Sequence, residues 1–106
     1  MRRTAVNERR SWRRRGREDC HWLSQARLRH GLELRVLNLG PGGALVEAPA
    51  RLLPGSRVEL HLTAPGWGWC AGARVLRCQV AALLPEHGVR YRAALQFERP
   101  MEPPGA

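Results

Sequence analysis

The sequence contains no lysine and no isoleucine, and aromatic residues make up only 6% of it. Its apolar runs are far shorter than the roughly 18 residues that a membrane-spanning helix needs, so no membrane insertion is expected. The amino terminus is charged and no apolar segment follows it, which argues against a secretory signal. These absences predict a cytoplasmic protein.

Cysteine is also scarce. The three cysteines, an odd number at irregular spacing, do not form a disulfide framework. Cys20, His21, Cys70, Cys78 and His87 include no Cys-x-x-Cys pair and match no structural zinc spacing, so no metal is expected. We expect reduced thiols that are buried among apolar side chains.

Catalytic groups in a recognisable arrangement are lacking too. The single aspartate, Asp19, has no acidic partner placed for general acid–base catalysis. Ser11, Ser24 and Ser56 lie in no nucleophile elbow, and the histidines are scattered. The sequence therefore predicts a protein that is not an enzyme and that needs no cofactor.

What the sequence does have is arginine, unevenly distributed. All 18 basic residues of the 106 are arginine, and with nine acidic residues they give a net charge of +9. Residues 2–17 hold eight arginines and one acidic residue, whereas residues 18–106 hold ten arginines and eight acidic residues. We therefore predict a flexible basic arm over residues 1–19, one folded domain over 20–99 and a short disordered tail over 100–106.

The body of the chain alternates between short apolar runs and glycine or proline turns. Residues 57–62 give the clearest pattern, because Val58, Leu60 and Leu62 alternate with Glu59 and His61 as in a strand with one buried face. About six strands are predicted, over residues 22–29, 32–39, 44–46, 57–62, 69–84 (one bent strand or two short ones) and 91–97. This pattern predicts a mostly β protein, either a small barrel or a sandwich.

Two motifs point to a phosphate-bearing ligand. Arg10 and Arg14 are separated by three residues, and guanidinium groups bind phosphate oxygens and stack on planar bases. Asn38, Gly40 and Gly43 form a turn in which the amide offers a donor and an acceptor and the glycines allow close approach of a ligand. A purely structural interpretation of this turn is that its glycines supply positive φ angles.

These motifs resemble the signature of PilZ domains, in which Arg-x-x-x-Arg precedes an Asp/Asn-x-Ser-x-x-Gly turn inside a small β-barrel. The resemblance runs from about residue 8 to 98, and its segments are 8–10, 36–45, 53–62 and 91–97. It implies a six-stranded antiparallel β-barrel, here without the C-terminal helix that many relatives carry. It also implies binding of the bacterial second messenger cyclic di-GMP.

The resemblance further implies how the ligand would bind. Arg10 and Arg14 would contact phosphates and guanine faces, while Asn38 and the backbone around Gly40 and Gly43 would form the opposite wall. The neighbouring Arg9 and Arg13 have the same spacing and are included in the predicted site. Ordering of the arm around the nucleotide would then change binding of an unidentified protein effector.

One departure from the family pattern affects the ligand. Gly40 stands where the motif has serine, and the lost hydrogen bond costs on the order of 1 kcal/mol, or about tenfold in affinity. Backbone N–H groups, a water molecule or the additional arginines are expected to offset part of that loss.

Two alternatives to a cyclic di-GMP receptor remain open. The domain is either a PilZ-like adaptor that no longer binds ligand, because of Gly40, or a nucleic-acid binder that uses the basic arm. Against nucleic acid, the body shows no row of exposed aromatic residues that would stack on bases.

Overall fold

A computed structural model describes residues 15–16, 20–86 and 88–105. The predictions for Arg9, Arg10, Arg13 and Arg14 lie outside these residues. In the described part of the chain, no helix is long and apolar enough to cross a membrane.

The protein is a closed antiparallel β-barrel of six strands, as the sequence predicts, with one short additional strand. The strands are β1 (Arg15–Gly16), β2 (Gln25–Leu28), β3 (Glu33–Leu39), β4 (Gly43–Ala48), β5 (Arg57–Ala64), β6 (Trp67–Leu84) and β7 (Gly88–Phe97). The order around the barrel is β3-β2-β5-β6-β7-β4, and pairing of β3 with β4 closes it. Strand β1 adds to the edge of β3. Closure of the sheet satisfies backbone groups that an open sheet would leave at its edges.

Strand β5 has one buried face, as its alternating pattern predicts. Leu60 and Leu62 point into the barrel and are fully buried, while Glu59 and His61 lie on the outer face. Turns at Gly31 and Gly66, with φ of 103° and 70°, join β2 to β3 and β5 to β6. Because positive φ is costly for residues with a Cβ, glycine fixes the positions of these two hairpins.

The ends of the strands differ from the predicted ones by up to three residues. Strand β2 is only Gln25–Leu28, because Trp22 and Leu23 pack against the core ahead of it. Strand β6 is one continuous strand of 18 residues with register shifts near Leu76 and Ala81, so the single-strand alternative of the prediction holds and the two short strands do not. Its last third pairs with the start of β7 as a two-stranded hairpin.

The predicted disordered tail over 100–106 needs correction at Met101. Its side chain is fully buried in the core, and its backbone N–H donates to the Pro41 carbonyl oxygen at 3.0 Å. The apolar thioether fills space at the end of the barrel, so the folded body extends past residue 99.

Candidate functional site

The end of the basic arm lies beside the predicted Asn38 motif. Strand β1 pairs antiparallel with β3, placing Gly16 opposite Asn38 and Arg15 opposite Leu39. Strand β2 covers the same edge of β3 only at Glu33 and Leu34. Strand β1 therefore pairs with the part of that edge that β2 does not cover, and it begins directly after Arg14 in the chain.

A β-bulge sets the orientation of Asn38. The register between β3 and β4 shifts between Val36 and Asn38, so Leu37 is an extra residue on β3. Val36 and Leu39 are both buried as a result, and Asn38 is half-buried at the barrel surface. Bulges commonly redirect a side chain in this way.

The turn that follows is held by three backbone hydrogen bonds. The Gly40 N–H donates to the Gly43 carbonyl oxygen at 2.9 Å, and Phe97 N–H donates to Gly42 at 2.8 Å. The third is the bond from Met101 to Pro41. Two of these bonds therefore tie the turn to the end of β7 and to the residues after it.

The interpretation that the glycines of this turn supply positive φ angles was wrong. Positive φ angles occur at Gly31, Gly55, Gly66, Gly88 and Gly105, and not at Gly40 or Gly43. A Cβ on Gly43 would instead collide with the backbone carbonyl oxygen of Leu95 on β7. The motif glycine at 43 therefore permits close approach of two strands.

Gly40, which replaces the motif serine, is buried. Its N–H is already bonded within the turn, so this group does not replace the missing hydroxyl as a donor to a ligand. Any compensation has to come from other groups, such as the arginines of the arm. A cleft of about 320 Å³ between residues 20–26 and Leu34–Val36 of β3 lies near this edge of the barrel.

A second cluster of polar groups lies on the outer face of β5 and β6, and sequence reasoning did not find it. His61 Nε2 is 3.0 Å from Glu59 Oε2, and Cys70 Sγ is 3.2 Å from the same oxygen. Cys70 Sγ and His61 Nε2 are 3.7 Å apart. The sequence does indicate that Glu59 and His61 share the outer face of β5, because they alternate with buried leucines. Cys70 lies beside them only because the register of pairing between β5 and β6 places it opposite His61.

The prediction that all thiols are buried among apolar side chains is therefore wrong for Cys70. Its hydrogen bond to the Glu59 carboxylate raises the pKa of the thiol, and partial burial raises that pKa further. The same bond lowers the pKa of Glu59, with a smaller contribution from His61. In the isolated protein Cys70 is thus a protonated donor.

Comparison of the chain with protein-family models, with curated proteins and with solved structures finds no match in any of the three.

Proposed function

We propose that this protein is a cyclic di-GMP receptor that acts as an adaptor. The observation that carries the proposal is the pairing of β1 with β3, which brings the end of the arginine arm next to Asn38 and its glycine turn. These are the two halves of the motif that resembles the PilZ signature. The closed barrel is also the fold that the resemblance implies.

Chain length is compatible with a site shared between the arm and the barrel. Arg14 is two residues from Gly16, so extended backbone reaches at most about 7 Å between them. Arg10 is six residues from Gly16, a reach of at most about 20 Å. Both arginines can therefore lie over the surface around Asn38 while β1 remains paired.

Charge favours a ligand with phosphate groups. Residues 2–17 carry eight arginines and one acidic residue, so both phosphates of a cyclic dinucleotide would be neutralised by the arm. Guanidinium planes would also stack on guanine faces. The arm would lose conformational freedom on binding, and this is how a ligand signal would be passed to a protein partner.

A second candidate function, an adaptor that binds a protein partner without ligand, has one observation in its favour. The hairpin formed by the end of β6 and the start of β7 exposes Val80 and Leu83, at 56% and 75% of their surfaces. In the described residues, no strand pairs with β6 beyond Arg74 on the side opposite β7. Exposed apolar side chains and an unpaired strand edge are typical of protein contact sites.

The test is calorimetric titration of the full chain with cyclic di-GMP, with GTP and an unrelated oligonucleotide as control ligands. We expect saturable binding of cyclic di-GMP that falls at least about tenfold in each of Arg10→Ala, Arg14→Ala and Asn38→Ala. Arg51→Ala and Gln79→Ala remove exposed side chains elsewhere and should leave the affinity unchanged.

Absence of heat with cyclic di-GMP would contradict the receptor proposal. Oligonucleotide binding that weakens gradually with every arginine removed would then favour a nucleic-acid binder. If neither ligand binds, the adaptor that acts through protein contacts is the better explanation.

A further inference from the structure

The outer-face cluster of Glu59, His61 and Cys70 brings three different donor atoms to one point. Glu59 and His61 are two residues apart on β5, and therefore on the same face of the sheet. Cys70 is the direct cross-strand partner of His61 on β6. Their nearest oxygen, nitrogen and sulfur atoms lie within 4.8 Å of one another.

The separations of these atoms fit ligands of one metal ion. Bonds from zinc of about 2.0 to 2.3 Å to oxygen, nitrogen and sulfur place tetrahedral ligands about 3.3 to 3.6 Å apart. The observed separations run from 3.0 to 3.7 Å. Shifts of about 0.3 Å, within side-chain rotation, would complete the geometry.

We propose that Glu59, His61 and Cys70 form a site for a divalent transition-metal ion of the Zn²⁺ class, with a fourth position open to an exogenous ligand. A thiolate and an imidazole select Zn²⁺ or Co²⁺ over Mg²⁺ and Ca²⁺, which prefer oxygen ligands only. This inference is independent of the cyclic di-GMP proposal, because the cluster shares no residue with that motif. It reverses the expectation of no metal that came from spacing along the chain.

The open position has a structural basis. A cleft of about 320 Å³ borders two of the three proposed ligands, His61 and Cys70, and Gly68 and Arg99 are also among its lining residues. Gly68 is exposed and has no side chain to fill this space. Three protein ligands and one accessible position are the arrangement of zinc sites that exchange ligands, in contrast to closed structural sites with four protein ligands.

The same geometry does not fit a nucleophilic triad. In a triad the thiol and the carboxylate bind opposite nitrogens of the imidazole. Here both Glu59 and Cys70 approach Nε2 of His61, and the Cys70 thiol donates a hydrogen bond to the Glu59 carboxylate. Convergence of all donors on one side of the ring is what a bound ion requires.

Charge also balances at the site. On binding, Cys70 loses its thiol proton to solvent, so thiolate and Glu59 carboxylate together neutralise a divalent ion. Arg27 is the cross-strand partner of His61, and Arg29 and Arg99 are near enough to act on Glu59 and Cys70. The positive charges of these arginines favour a negatively charged ligand in the fourth position.

The first experiment titrates the full chain with Co²⁺ and then with Zn²⁺. We expect one equivalent of Co²⁺ to give the charge-transfer absorption of a cobalt–thiolate bond and the visible bands of four-coordinate cobalt, and Zn²⁺ to displace it. Cys70→Ser and His61→Ala should lower the affinity at least about 100-fold, since even partners of metal ligands contribute 10- to 100-fold. Cys78→Ser and His30→Ala are the matched controls and should bind as the unchanged protein does.

A second measurement follows the reactivity of individual thiols in the unchanged protein. Alkylation of cysteines with iodoacetamide, followed residue by residue by mass spectrometry, should slow at Cys70 when Zn²⁺ is present and remain unchanged at Cys78. Thermal unfolding should shift to higher temperature with Zn²⁺ in the unchanged protein and not in Cys70→Ser, because the ion links β5 to β6 in the folded state only.

Two results would overturn the proposal. One is the absence of a cobalt–thiolate band together with unprotected Cys70. The other is metal binding that Cys70→Ser retains and that Cys20→Ser or His21→Ala abolishes, which would place the ion elsewhere.

Discussion

At the scale of single residues, the turn after β3 shows why two adjacent glycines are not equivalent. Gly43 is buried, and its Cα faces the carbonyl oxygen of Leu95 across the β4–β7 pairing. Gly42 is exposed, and a Cβ built there meets no atom within 4 Å. Neither residue has a positive φ, so steric space alone distinguishes them.

Gly43→Ala should therefore destabilise the protein by about 1 to 3 kcal/mol, because the two backbones must move apart. Gly42→Ala should be neutral or slightly stabilising, since it reduces the conformational freedom of the unfolded chain. Urea unfolding at equilibrium measures both free energies. Equal stability of the two variants would show that β4 and β7 are not in close contact at this point.

At the scale of secondary-structure elements, an ion pair links the start of β5 to the residue after β7. Arg57 Nε and Nη2 donate to the two Glu98 carboxylate oxygens at 2.6 and 3.0 Å. The bidentate pair covers Gly72 on β6, where a Cβ would collide with both side chains. Glycine at this position thus allows the pair to span three strands.

The Arg57–Glu98 pair should make stability depend on pH in the acidic range. The hydrogen bond and charge of Arg57 lower the pKa of Glu98 from its ordinary value of 4.5. The stabilisation from the ion pair is therefore complete above pH 4.5. It is lost as the pH falls through the lower pKa that Glu98 has in the folded state. Glu98→Gln should reduce the free energy of unfolding at neutral pH, and this reduction should shrink as the pH falls below 4.5.

Urea unfolding of Glu98→Gln at neutral pH and at several pH values below 4.5, with Glu86→Gln in an exposed turn as control, tests this prediction. The effect should be small and should shrink in high salt, because both side chains are at least half exposed. A loss that is equal at all of these pH values would assign the effect to packing of the side chain and not to its charge.

The hairpin at the end of β6 is the element least dependent on the core. Leu83 is 75% exposed, whereas Leu60 on β5 is fully buried. Leu83→Ser should change the free energy of unfolding by no more than about 0.5 kcal/mol, and Leu60→Ala should cost about 2 to 5 kcal/mol. Thermal unfolding compares them directly, and a large loss in Leu83→Ser would mean that the hairpin packs against other parts of the chain.

At the scale of the whole molecule, most of the net positive charge lies in the arginine-rich segment and not in the barrel. The arginine-rich end carries most of the net charge of +9, while the barrel holds nearly balanced charges. Any polyanion should therefore bind this end of the chain at low salt, whatever its structure. Specific and non-specific ligands have to be distinguished by their salt dependence.

The affinity for a single-stranded oligonucleotide should fall steeply with salt, with a slope of about −0.7 in log–log form for each phosphate neutralised. Cyclic di-GMP has far fewer phosphates, so its affinity should fall more slowly. Titrations at several salt concentrations measure both slopes. Identical slopes would indicate that the arm binds both ligands only through non-specific electrostatic attraction.

The sequence by itself determined the strands, the turns and the distribution of charge, because these depend on neighbouring residues. Alternation at Leu60 and Leu62 gave one buried face, and glycine at 31 and 66 marked two hairpin turns. The closed six-stranded barrel was implied by the resemblance of the motifs, and the structure agrees with it.

Only the tertiary structure decided which distant residues meet, because pairing register is a property of the whole sheet. It placed Gly16 opposite Asn38 and Cys70 opposite His61, and it buried Met101. A slip of one residue between β5 and β6 would point Cys70 to the other face of the sheet and abolish the Glu59, His61 and Cys70 cluster. The metal site that we propose there was invisible to reasoning from spacing along the chain, since its ligands become neighbours only when the barrel forms.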